Sequence, residues 1–185
     1  MRFRPTTILS IFAVVAMCLV IFAMSAQTAD KSTELSMGIV WHIIGFIVPG
    51  YDQMSPADQL YWQQLLDHPV RKTAHFLEYA LLGALTMNMV VRIARDRYAG
   101  DAGAGAPVPA GSAPAAGMPA LRQLGLVAWA LATGYAAGDE IHQVFVPGRA
   151  FMFTDILIDS GGILVGVLLA ALLFKRASTR NRDRA

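Results

Sequence analysis

Apolar residues gather in four stretches of spanning length. A helix needs roughly 20 mostly apolar residues to cross a bilayer, with about 17 as the lower limit. The first stretch runs from Ile8 to Met24, with Ser10 as its only polar break. The others cover residues 74–91, 121–144 and 154–174. Each of these three carries ionisable groups near one end and leaves the remainder apolar enough to insert. The pattern predicts an all-α polytopic membrane protein with four transmembrane helices. Arg2 and Arg4 precede the first stretch and small residues follow it, as in a secretory signal peptide. Its apolar core exceeds the roughly 7–15 residues such peptides use, and Ala23-Met24-Ser25 makes a poor cleavage site. A retained helix is therefore expected.

The segments between the stretches differ in kind. Within the 25–73 connection, Leu35 to Val48 is apolar but only 14 residues long and is stopped by Pro49-Gly50. That length suits an interfacial or re-entrant helix better than a span. Ser55-Pro56-Ala57-Asp58 combines an N-cap, a first-turn proline and a capping-box acid. The helix it opens is expected to run to about Asp67 and to stop before Pro69. Tyr61 and Trp62 suit a membrane–water interface. From Ala99 to Ala120, alanine, glycine and proline fill 18 of 22 positions. Such a composition cannot bury enough apolar surface to offset ordering entropy, so a flexible linker is expected there. Residues 175–185 form a basic tail.

Counting Lys and Arg by connection sets the expected orientation. Eleven fall at the two termini and between the second and third stretches, and four fall on the other side. Both termini are therefore expected in the cytoplasm. Ten of the thirteen acidic residues lie on the outer side. Acidic residues contribute little to insertion, so that imbalance points to something polar built on the outer face.

Composition agrees with the pattern and removes other classes. The 185 residues are 55% apolar and 15% charged, against about 45–50% and about 25% in ordinary soluble domains. Net charge is +2, and no basic patch interleaves with aromatics, so nucleic acid is not an expected partner. The single cysteine, Cys18, lies in the first apolar stretch, which leaves no disulfide framework and no cysteine metal site.

Ionisable residues near the helix ends supply the candidate chemistry. Spacings of three and four put Lys72, His75, Glu78 and Tyr79 on adjoining parts of one face. The third stretch ends in Gly138-Asp139-Glu140-Ile141-His142-Gln143, where Asp139, His142 and Gln143 share a face. Asp155 and Asp159 form an i, i+4 pair in the fourth, and Arg149 stands in the short connection before it. With the orientation above, all converge at one outer edge of the bilayer. Several readings stay open. The groups could form a charge-balanced structural network. His75, Glu78, Glu140, His142 and Asp155 or Asp159 could hold a divalent metal. Glu140 and His142 could act as acid and base. Transport fits less well, because transporter sites lie near the midplane between repeats, and no repeat is found. Gly134-x-x-x-Gly138 and Gly162-x-x-x-Gly166 read as close-packing helix faces.

The residues Lys72-x-x-His75-Phe76-x-Glu78-Tyr79-x-x-Leu82-Gly83 and Asp139-Glu140-x-His142-Gln143-x-Phe145-Val146-Pro147-Gly148-Arg149 resemble the signature of the VanZ-like family. Asp155-x-x-x-Asp159 with Gly162 and Gly166 continues the pattern. Ser25-Ala26-Gln27 resembles the family's Ser-Ser-Gln segment, with Ala26 a departure. The resemblance covers residues 8–174 and implies a multi-pass protein of the bacterial plasma membrane. It further implies a link to reduced susceptibility to teicoplanin-type lipoglycopeptides. Membrane lipids and a lipid-linked cell-wall precursor or lipoglycopeptide are the expected partners. Lys72 and Arg149 are expected to meet phosphate oxygens, with Asp139, Gln143, Asp155 and Asp159 completing a binding set. Glu140, His142, His75 and Glu78 could serve as acid/base groups of a hydrolase or transferase acting on a lipid-linked substrate, or could hold that cationic pair in place in a non-catalytic binding protein.

Overall fold

The computed structural model of the protein describes residues 3–101 and 118–182. Its elements are α1 (Pro5–Ser25), α2 (Ala29–Ile47), a 3-10 turn (Tyr51–Gln53), α3 (Pro56–Asp101), α4 (Leu121–Gln143) and α5 (Phe153–Arg182). No strand occurs among the described residues. Most of the Ala/Gly/Pro segment expected over 99–120, and the last three residues of the tail, lie outside the described residues.

Helix starts follow local chemistry. Pro5 opens α1, where its missing N–H costs nothing. Ser55 caps α3: its Oγ accepts the Asp58 N–H at 3.3 Å and donates to Asp58 Oδ2 at 2.7 Å. The expected break before Pro69 is absent, and α3 continues through that proline. A proline removes one i→i−4 bond, and membrane helices tolerate this where neighbouring groups satisfy the backbone. The acceptor that Pro69 frees is the Leu65 carbonyl; in the following turn the Thr73 hydroxyl donates to the Pro69 carbonyl at 2.9 Å, and Arg71 pairs with Asp67. At 46 residues, α3 is about 69 Å long, more than twice the roughly 30 Å hydrocarbon core. Part of it must stand outside any bilayer.

The expectation of four spans is met in part. Among the described residues, three helices are long and apolar enough to cross a membrane: α1, α3 and α5. The third predicted span corresponds to α4, which has the length at 23 residues but not the apolarity. Arg122 and Gln123 open it, Asp139 and Glu140 close it, and glycine, threonine and tyrosine dilute its middle. It packs along both α3 and α5.

The bundle is organised around α3 and α5, which share the most extensive contact. Glycines make it a backbone contact. A Cβ on Gly83 would overlap the Ile163 carbonyl oxygen, one on Gly162 that of Phe76, and one on Gly166 that of Ala80. Small residues let two helix axes approach this closely. Gly134 and Gly138, the other expected packing face, have no such neighbour. Instead α4 buries Leu124, Ala128, Ala132 and Ala136 at every fourth position, against Leu82, Val91, Ile163 and Val167 of the shared core. A second, smaller cluster joins Val40 and Ile44 of α2 to Tyr51, Trp62, Leu66 and Val70. It fastens α2 to the N-terminal part of α3. Outward-facing Phe12, Val15 and Leu19 of α1 and Leu168, Leu169 and Leu172 of α5 are exposed, as the lipid-facing side of a membrane bundle requires.

Candidate functional site

The buried alanine face of α4 does not stop at Ala136. It continues into Asp139, Glu140 and Gln143, which are all buried. Burying a carboxylate costs on the order of several kcal/mol unless it is paired or hydrogen-bonded, and the surrounding elements supply the bonds. Asp139 Oδ1 accepts from the Ser25 hydroxyl at 2.6 Å, and its Oδ2 accepts from the Tyr79 hydroxyl at 3.2 Å. The Gln143 amide donates to Glu140 Oε1 at 3.0 Å and, more weakly, to Asp139 Oδ2 at 3.5 Å. Glu140 Oε2 accepts the Met152 N–H at 3.2 Å. Met152 immediately precedes α5, so this carboxylate sits where a helix N-terminus favours negative charge.

The turn between α4 and α5 closes the network. Arg149 N–H donates to the Val146 carbonyl at 3.1 Å, and Gly148 between them has φ +77°. Pro147 at the second position and a left-handed third position are the requirements of a type II turn, which is why Gly follows Pro here. The turn aims Arg149 inward. Its Nε donates to the Gln27 carbonyl at 2.9 Å and a terminal nitrogen to Gln143 Oε1 at 3.4 Å. Lys72 of α3 forms an ion pair with Asp155 in the first turn of α5. Asp159 lies one helical turn further along α5 and is 2% exposed. Residues from α1, α3, α4, α5 and two connections therefore meet in one region.

Of the expected residues, the structure joins Asp139, Glu140, Gln143 and Arg149 directly, and pairs Lys72 with Asp155. His75 and Glu78 are half-buried on the adjoining face of α3. Lys72, Arg149, Asp155 and Asp139 are the charges close enough to act on His75, and Asp139 acts on Glu78. His142 is turned away. Its ring lies 4.5 Å from that of Phe22 at 31°, and its Nε2 is buried without a hydrogen-bond partner. Three residues along a helix leave it about 60° around the axis from Asp139, enough to face α1 and leave the carboxylates. No group of three His, Cys, Asp or Glu side chains that could hold a metal ion occurs among the described residues.

Four participants lay outside the expected set of site residues. Ser25 ends α1, the Gln27 carbonyl belongs to the α1–α2 connection, Tyr79 comes from α3, and the Met152 N–H stands just before α5. Tyr79 was signalled by its spacing of four from His75, and Ser25 and Gln27 by the short segment after the first apolar stretch. Further bonds hold α1 in place: the Tyr135 hydroxyl donates to the Cys18 carbonyl at 2.6 Å. On the α4–α5 side, Trp129 Nε1 donates to the Ser160 carbonyl at 3.3 Å.

No curated protein matches the chain, and no solved structure does. A family model does match, that of VanZ/LLP1, over residues 10–174. That range takes in Ser25, Lys72, Tyr79, the Asp139–Arg149 block and Asp155, the residues that build the network. The chain belongs to the VanZ/LLP1 family.

Proposed function

We propose that this protein is a component of the bacterial plasma membrane that binds the anionic headgroup of a lipid-linked envelope component at its outer face. By that binding it lowers susceptibility to teicoplanin-type lipoglycopeptides. In this reading α4 also crosses the bilayer, sheltered by α3 and α5, and both termini are cytoplasmic. The distribution of Lys and Arg supports the orientation. The exposed Leu126, Val127 and Leu131 on the outer side of α4 support a fourth crossing.

The observation that carries the binding role is the occupancy of the buried acids. Both oxygens of Glu140 and both of Asp139 already accept hydrogen bonds from the protein. Groups so held suit positioning Arg149 better than exchanging protons with a substrate. Arg149 and Lys72 then supply the cations for phosphate oxygens.

A catalytic reading keeps one specific support: His75 and Glu78 are half-buried, three residues apart, and flank the network with no hydrogen bond to it among the described residues. As acid and base they would act on the same lipid-linked substrate. Glu140→Gln does not separate the two readings. An amide there would face the Met152 N–H with a second donor, or force Gln143 to turn over and release Arg149.

The separating experiment measures teicoplanin susceptibility in a sensitive host at matched membrane levels of each variant. Binding predicts protection by the wild type, its loss in Arg149→Gln, and its retention in His75→Gln and Glu78→Gln. Loss in both of the latter two, with normal folding, would support catalysis. A wild type that gives no protection contradicts the resistance role.

A further inference from the structure

A cavity of about 620 Å³ opens between α1, α3 and α5, far from the acidic network. On α3 its polar rim at Arg92 lies 13 residues beyond Tyr79, about 20 Å along the helix. Its volume falls within the range of about 300–1,000 Å³ usual for ligand sites. The walls are apolar: Ala84, Leu85, Leu169, Ala170, Leu173 and Phe174. Leu169 and Leu173 are also exposed on the outside of the bundle, so the cavity opens sideways to the surface that faces lipid.

One end of this apolar cleft is cationic. Arg4, Arg92 and Arg95 line it, against the single carboxylate of Asp96. That carboxylate is engaged with α1: Oδ2 accepts the Arg4 N–H at 3.0 Å, and Oδ1 lies 3.5 Å from Arg4 Nε. Arg92 and Arg95 stand three residues apart, neighbours on one helix face. Each is oriented by a local contact. Arg92 Nε donates to Asn88 Oδ1 at 3.0 Å, and the Arg95 guanidinium lies 5.6 Å from the Phe174 ring centroid. An apolar slot open to the bilayer side with two adjacent guanidinium groups at its polar end complements one chemical class. That class has a hydrocarbon tail and an anionic phosphate head.

We infer that this cleft is a binding site for an anionic phospholipid, its phosphate held by Arg92 and Arg95 and an acyl chain lying along Leu169, Leu173 and Phe174. Basic pockets between membrane helices recognise anionic headgroups in this way, and guanidinium groups suit phosphate oxygens. The bound lipid wedges α1 against α3 and α5 at the end of the bundle opposite the acidic network. The inference does not depend on what that network binds.

The test is native mass spectrometry of the full chain released from detergent micelles doped with phosphatidylglycerol or phosphatidylcholine of identical acyl chains. The wild type retains one phosphatidylglycerol and strongly prefers it to phosphatidylcholine. The double substitution Arg92→Gln and Arg95→Gln lowers phosphatidylglycerol retention about tenfold or more, the worth of a charge-assisted hydrogen bond. Excess soluble glycerol 3-phosphate leaves the lipid in place, because it lacks the chain that fills the apolar slot. Equal retention of the two lipids by the wild type overturns the inference, and this arm decides even if the double variant fails to fold. A folded double variant that keeps its preference, or displacement of the lipid by glycerol 3-phosphate, overturns it as well.

Discussion

Gly166→Ala destabilises this protein more than any other exchange of a helical glycine for alanine, by about 3 kcal/mol or more. The reason is where the new methyl would stand. It would overlap the Ala80 carbonyl oxygen, and it would lie 2.7 Å from the Ala80 carbonyl carbon and 2.9 Å from the Ala84 nitrogen. These are backbone atoms in a helix, so no rotamer change relieves them. The axes of α3 and α5 must separate, and that movement pulls apart the Lys72–Asp155 ion pair and the shared core. Gly134→Ala and Gly138→Ala are the internal controls. Nothing lies within 4 Å of a Cβ at either position, and alanine is the better helix former by about 1 kcal/mol. They should be neutral or stabilising. Thermal unfolding of the detergent-solubilised variants measures the difference, and equal midpoints for Gly166→Ala and Gly134→Ala would refute the close crossing.

Asp139→Ala is expected to have the next largest effect. It leaves the Tyr79 hydroxyl without its acceptor, and Ser25 with only the Phe22 carbonyl, 3.1 Å away. Stranding a buried polar group costs about 1–3 kcal/mol. Tyr79→Phe removes a single interhelical bond, and such bonds between membrane helices average about 0.6 kcal/mol with a maximum near 1.7. The aspartate substitution should therefore cost clearly more than the tyrosine one. The pair should also couple. Once Asp139 is gone, the Tyr79 hydroxyl has nothing to donate to, so Tyr79→Phe in that background is neutral or stabilising. A double-mutant cycle on the unfolding free energy reads this directly. Simple additivity of the two losses would mean that the hydroxyl and the carboxylate do not bond.

Periodicity and composition carried much of this architecture, for identifiable reasons. Long apolar runs leave little choice but helix, and the Pro147-Gly148 pair leaves little choice but the turn that presents Arg149. The buried acids were legible as residues out of place in apolar surroundings. Partner choice was less legible. Gly134 and Gly138 have the same spacing as Gly162 and Gly166, yet only the latter meet another helix, because a small-residue pattern does not say which face finds a neighbour. The same gap let Gly83 pass without notice as a packing residue. His142 reads as a member of the Asp139 face by spacing alone, but a 60° offset was enough for Phe22 to capture it. Local rules end a helix at Pro69, whereas the packing of Trp62, Leu66 and Val70 against α2 carries α3 past it. The weak apolarity of α4 is the counterpart of its position. A helix covered by α3 and α5 along its alanine face needs fewer large apolar residues than one surrounded by lipid.

The claim that the acidic network opens to the outside of the cell has a direct test. In a Cys18→Ser background, single cysteines are placed by Phe145→Cys, in the exposed turn after α4, and by Thr179→Cys, on the exposed end of α5. Each is treated with a membrane-impermeant maleimide in cells whose plasma membrane is accessible. The account expects the cysteine at 145 to react in intact cells and the one at 179 only after lysis. Reaction at 179 from outside, with 145 protected until lysis, would turn the network toward the cytoplasm and contradict the proposed function.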